Sequence, residues 1–280
     1  MKFIQKLTQS LDTKNSHVCV GLDSRYDRIP DNLKKGRSVA EAIFEFNKQV
    51  VEATQELAVA YKSNLAFYGG FGAEGLDGLA KTNRWIQETY PEIPLLADCK
   101  RSEMGESVKM IEFEIFEWLA FDCVMVTPWF GYDTIRDYLA NDRHGVAVYV
   151  HDSNPTAAEF QELELKDGRQ VYEAVTQQIV DVWNTNGNII VEAGATYPIA
   201  LKKVRQIVGE EMPILTAGVG VQGGQIANIY GTFGKDGKRL FVNSSRGIIF
   251  AGEGKTDYFG QVRSAAQTLR DQLAEAALRT

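Results

Sequence analysis

In the stretch LLADCKRSEMGES, residues 95–107, four charged residues crowd positions 98–103: Asp98, Lys100, Arg101 and Glu103. The apolar start Leu95-Leu96-Ala97 predicts a buried strand that delivers these charges at its end. A charge taken out of water is costly unless a partner meets it. Side chains alternate along a strand, so Asp98 and Lys100 point one way and Cys99 the other. On an exposed strand that pair would be a surface salt bridge contributing little. In a buried mouth, neighbouring carboxylates favour the charged form of a lysine, which makes Lys100 a proton donor.

A second chemistry is written further along. AGVGVQGG, residues 217–224, can present several backbone N–H groups with no side chains in the way. NSSRGI, residues 243–248, adds the Arg246 guanidinium and further N–H groups where a helix begins. Together they suit a phosphate.

Both sets of residues depend on the elements that carry them. Short apolar runs end near them at 17–23, 58–65, 94–100, 123–129, 145–151, 188–194, 212–218 and 239–245, which makes eight strands. Most of the segments between them, such as 38–57, 75–90, 107–120, 171–186 and 199–210, carry apolar residues at i, i+3 and i+4 and read as helices. Eight strands alternating with helices favour a parallel α/β fold, the (β/α)8 TIM barrel, over a doubly wound open sheet. The strands finish on Asp23, Lys62, Asp98 with Lys100, Thr127, His151, Glu192, Thr216 and Ser244 with Ser245. In a barrel these ends share one mouth, and loops seven and eight are where many barrels hold a phosphate.

The whole chain sets limits on partners. With 280 residues and 44% hydrophobic content it can bury a large core, read here as one domain over residues 1–280. A net charge of -7 argues against polymeric nucleic acid and anionic membranes, so an anionic ligand must be met by a local cluster of donors. No apolar stretch reaches the roughly 18 residues of a membrane helix. Phe3, Ile4, Leu7 and Leu11 have helical spacing and predict a short covering helix rather than a signal peptide. Cys19, Cys99 and Cys123 lie in apolar runs without CxxC spacing and read as buried thiols of a cytoplasmic protein. His17, His144 and His151 are too scattered for an HExxH-like metal motif, and no metal is expected.

With these residues in place, the chain resembles the orotidine 5'-phosphate decarboxylase family, in particular its longer bacterial branch, over nearly its full length. VCVGLDSRYDRIP is similar to the family's first-strand motif, AYKSNLAFYGGFGAEGL to the second and DCKRSE to its D-x-K-x-x-D. DSNPTAAEFQ, EAGATYPIALKKVR, AGVGVQGG and NSSRGIIFAG follow in the family's order. The resemblance implies a cytoplasmic (β/α)8 homodimer that converts orotidine monophosphate to uridine monophosphate and CO2 with no metal or organic cofactor. It implies that Asp23 and Lys62 bond the ribose hydroxyls and that Lys62 also joins the charged network. Asp98 would lie beside the substrate carboxylate, and Lys100 would protonate the C6 carbanion. Ser153 would meet the pyrimidine edge, while Gln222, Ser245 and Arg246 would hold the phosphate. Glu103 and Ser107 would reach the neighbouring subunit's site. The segment 152–170 would be a lid, with its Asp167-Gly168 pair turning a small hairpin.

The chain departs from the family at several positions. Glu103 stands for the last aspartate of the motif and Ser102 for the glycine before it; Glu106 and Ser107 stand for Asn and Thr. His151 and Asp152 replace the usual residues before Ser153, and Ala217 stands where proline often precedes GVG. Glutamate keeps the charge but adds a methylene, and about 1 Å of displacement in such an array can cost on the order of a hundredfold in rate. The pattern suits a divergent decarboxylase. It equally suits a paralogue acting on another pyrimidine nucleotide, or a silent nucleotide-binding protein. The related Mg²⁺-dependent sugar-phosphate decarboxylases fit NSSRG and DSNP poorly.

Overall fold

The computed structural model of the protein describes residues 1–219 and 225–279. Its eight strands are β1 (Val18–Gly21), β2 (Ala58–Asn64), β3 (Leu95–Asp98), β4 (Cys123–Val126), β5 (Gly145–His151), β6 (Ile189–Ala193), β7 (Ile214–Ala217) and β8 (Leu240–Ser244). They close in sequence order, with β1 pairing parallel to both β2 and β8. The expected eight-stranded parallel barrel is therefore present, and the open sheet is excluded.

Period-two alternation divides the strands between two cores. Val20, Val124, Val148, Val191 and Val242 face outward and pack with the surrounding helices in one cluster. Cys19, Ala60, Leu96, Ala147, Ile190, Leu215 and Phe241 face inward and form a second. The N-terminal helix Phe3–Thr13 adds Phe3, Leu7 and Leu11 to that inner cluster, so it seals the barrel from below. Gly145 at the start of β5 makes this closure fit, because a Cβ there would lie 2.0 Å from the Phe3 ring.

The helices start where the chain provides caps. Ser38 and Glu41 form a reciprocal capping box at the head of Val39–Thr54, and Pro198 opens Pro198–Val208 in the first turn, where its missing N–H is harmless. Two expected helices change pitch part-way. Glu106–Glu112 continues as a π-helix over Phe113–Trp118, and Val171–Gln178 as another over Ile179–Trp183. The wider turns keep Ile115, Phe116, Ile179 and Trp183 on the buried side.

Candidate active site

Two residues beyond the inner apolar layer, the same alternation points a different set of side chains inward. Ala60 is followed in this way by Lys62, Leu96 by Asp98, Ala147 by Tyr149, Ile190 by Glu192, Leu215 by Ala217 and Phe241 by Asn243. All six of these second residues line one cavity of about 420 Å³ at the C-terminal mouth of the barrel. The floor is apolar and the layer above it largely polar, because five of these six strands switch from an apolar to a polar residue at the same height, β7 with Ala217 being the exception.

Asp98 is the centre of the charged layer. Its Oδ2 accepts from Lys62 Nζ at 2.6 Å and from Asn64 Nδ2 at 3.4 Å. Its Oδ1 accepts from Lys100 Nζ at 2.5 Å and from the Tyr149 hydroxyl at 2.7 Å. Burial works against the Asp98 carboxylate, but Lys62 and Lys100 outweigh it and hold its pKa well below the usual carboxylate range. Burial likewise disfavours charge on Lys62, yet Asp98, Asp23 and Glu192 around it lift its pKa above the ordinary lysine range. Lys62 and Asp98 are only 4% and 5% exposed, whereas the Lys100 side chain is 45% exposed.

Asp98 and Lys100 do meet, for a reason that alternation did not supply. β3 ends at Asp98, and Lys100 sits beyond it with a left-handed φ of 52°. That turn of the backbone, not the strand pleat, brings Nζ back over the carboxylate. Cys99 points away and donates from Sγ to the Met125 carbonyl at 3.5 Å.

Glu192 on β6 is the register partner of Tyr149 on β5 and is 7% exposed. Its Oε2 is buried without a hydrogen-bond partner among the described residues. Burial pushes the Glu192 pKa up to about 8, with Lys62 and Lys100 opposing and Asp98 and Asp152 adding to the rise. Burial, reinforced by Glu192 and Asp98, raises the Tyr149 phenol well above its ordinary value.

The rest of the wall comes from loops. Asp23 accepts from the Asn64 backbone N–H at 2.9 Å, which ties the loop after β1 to the end of β2. Ser153 lies so close to β6 that a Cβ on Gly194 would be 2.7 Å from its Cα. Asp152 is clasped by Gln161, which accepts from its N–H at 2.8 Å and donates to Oδ2 at 2.7 Å. His151 turns out of the barrel, with Nε2 3.0 Å from Glu162 Oε1. Thr216 also belongs to the frame, donating to the Ala193 carbonyl at 2.6 Å. On the far side of the cavity stand Ser244, Ser245 and an exposed Arg246.

The cavity thus gathers Asp23, Lys62, Asp98, Lys100, Ser153, Ser245 and Arg246 as the sequence leads one to expect. Glu103 and Ser107 are not among its lining residues. They line a separate exposed depression with Arg101, Ser102, Met110 and Ile111, reached from the mouth past Lys100. Gln222 lies outside the described residues. Tyr149, Asn64 and Asn243 also line the cavity and carry no site signal of their own in the sequence, where Glu192 marks only a strand end. The available signal was the count of two from each inward apolar residue.

Comparison with known proteins agrees with this geometry. The profile of the Orotidine 5'-phosphate decarboxylase / HUMPS family matches residues 16–258. Orotidine 5'-phosphate decarboxylase of Ralstonia pickettii is 38% identical over 274 residues, 98% of each chain, and that of Cellvibrio japonicus 37% identical over 275 residues, again 98% of each. Among solved structures, Leishmania donovani OMP decarboxylase superposes with a TM-score of 0.83 at 28% identity, covering 100% of both chains. Leishmania donovani UMP synthase gives a TM-score of 0.85 at 30% identity over 99% of this chain and 57% of its own. With the barrel, the charged layer and these relatives in agreement, the chain belongs to the orotidine 5'-phosphate decarboxylase family.

Proposed function

We propose that the cavity binds orotidine monophosphate and converts it to uridine monophosphate and CO2. The observation that carries this reading is the Lys62–Asp98–Lys100 array, which shares one cavity with Ser245 and Arg246. In this reading Ser245 and Arg246 take the phosphate, Asp23 and Lys62 the ribose hydroxyls, and Ser153 the pyrimidine edge. The substrate carboxylate then lies beside Asp98.

Loss of CO2 leaves an electron pair on C6, and preorganised positive charge at that atom is the means of stabilising it. Lys100 supplies the charge and then the proton: an N–H bond breaks, a C6–H bond forms, and the product leaves as uridine monophosphate. Phosphate binding far from C6 contributes by positioning the ring. The segment 152–170 serves as the lid. Its short helix Ala158–Gln161 holds Asp152, and its Glu164–Gln170 bridge forms the hairpin around Gly168, whose φ is 83°. The chain acts as a homodimer, in which Glu103 and Ser107 of one subunit approach the other's cavity. The exposed apolar side chains Met104, Met110 and Phe113 on the same segment support that assignment.

The test is turnover in D2O followed by NMR of the product. The proposal expects uridine monophosphate with one deuterium at C6; recovery of unchanged orotidine monophosphate contradicts it.

A further inference from the structure

We propose that Tyr149 is a positioning residue for Lys100, fixing the direction of its ammonium group through a closed triangle with Asp98. The proposal rests on the decarboxylase reading above for its kinetic test, and on geometry for its content.

Lys100 is poorly anchored by its own backbone. It lies beyond the end of β3, in a left-handed conformation uncommon for a residue with a side chain, and its side chain is 45% exposed. A lysine stem has many rotamers, and one acceptor at its tip sets a distance without setting a direction. Asp98 Oδ1 is one such acceptor, at 2.5 Å. The Tyr149 hydroxyl is the second, at 3.0 Å, and the same hydroxyl donates to Asp98 Oδ1 at 2.7 Å. An ammonium group carries three N–H donors. Two are therefore committed, and the third has one remaining direction, into the cavity where C6 would lie.

Tyr149 is suited to this task because it does not move with the loops. It sits inside β5, is buried, and its ring rests on the inner apolar cluster. Lys100 Nζ is also 4.5 Å from the centre of that ring, a cation–π distance that adds to the restraint. Once the hydroxyl donates to Asp98, its oxygen is left to accept from Lys100. A residue that merely filled the barrel would need the ring and not the oxygen.

Tyr149→Phe separates these roles, because it keeps the ring, the packing and the cation–π contact. The expected result is a kcat lower by about 10- to 100-fold, the scale associated with roughly 1 Å of misplacement at a reacting centre. KM for orotidine monophosphate stays within about threefold, and the melting temperature confirms folding. A kcat equal to wild type, with Lys100→Ala still inactive, overturns the proposal. A second readout does not depend on turnover: NMR of lysine labelled at Cε and Nζ, in wild type and Tyr149→Phe. A Lys100 ammonium signal that is sharp and slowly exchanging in wild type and broadened in the variant supports the triangle. Identical signals overturn it. Failure of wild type to turn over orotidine monophosphate would count against the decarboxylase reading instead, and the NMR comparison would still decide the role of Tyr149.

Discussion

Lys62 and Asp98 face each other at 2.6 Å across β2 and β3 with both side chains almost wholly out of water. Neither charge has bulk solvent to fall back on, so each depends on the charged groups around it, with the other as its direct buried partner. Asp98→Asn leaves Lys62 charged and buried, a change that costs about 3–5 kcal/mol of stability when a buried pair is broken from one side. The pH dependence follows from the direction of the Asp98 shift. Its folded pKa is depressed, so the stability it contributes is fully present above the ordinary aspartate value and is lost as pH falls through the folded one. Urea titrations from pH 7 down to pH 3 should show wild type losing stability faster than Asp98→Asn.

Glu192 has the opposite sign. Its pKa rises to about 8 on folding, so the native state holds more protons than the unfolded chain between the ordinary glutamate value and about 8. Stability therefore falls as pH rises through that window. Glu192→Gln removes the ionisation and keeps the shape. The variant should melt higher than wild type at pH 8.5 by a few degrees, on the order of 1–2 kcal/mol, and the gap should narrow towards pH 5. A gap that is constant with pH would show that Glu192 does not titrate in this range.

Arg246 stands exposed on the rim opposite the charged layer. Its replacement by alanine should raise KM for orotidine monophosphate by about 10- to 100-fold, the range of one charge-assisted hydrogen bond. The effect should shrink as salt rises. A phosphate-free nucleoside should bind wild type and variant equally, and calorimetry on that pair checks the assignment.

Glu103 belongs to a depression outside the cavity of its own chain, so the dimer reading makes a sharp demand of it. Lys100→Ala and Glu103→Ala proteins should each be inactive by at least about a hundredfold. Mixed and allowed to exchange subunits, they should regain activity, because each mixed dimer holds one intact site. A mixture as inactive as its components, with exchange shown by mass spectrometry, would remove Glu103 from the neighbouring site.

Much of this architecture is legible in the sequence because strand and helix periods differ, and a barrel repeats the difference eight times. The polar ends at Lys62 and Asp98 stood out against apolar runs. Tyr149 did not, because an aromatic residue between Val148 and Val150 reads as ordinary strand interior. Its hydroxyl matters only once β3 and β5 are seen to flank β4, which brings the Tyr149 hydroxyl onto Asp98. The backbone turn at Lys100 is hidden for another reason: outside glycine a left-handed φ is signalled by Asn, Asp or His, and lysine carries no such signal. The hairpin at Asp167-Gly168 was legible from turn chemistry alone, and the Glu164–Gln170 bridge is present.

In the proposed mechanism Lys100, held over Asp98, is the group that decarboxylation cannot do without. The most direct measurement follows the ultraviolet absorbance of orotidine monophosphate with purified protein in EDTA-containing buffer, beside Lys100→Ala. The wild-type chain should turn over, and the variant should lose at least about a thousandfold in rate, as for removal of a group that acts on the transition state. Equal rates in the two proteins, or no turnover by wild type while uridine monophosphate still binds, would contradict it.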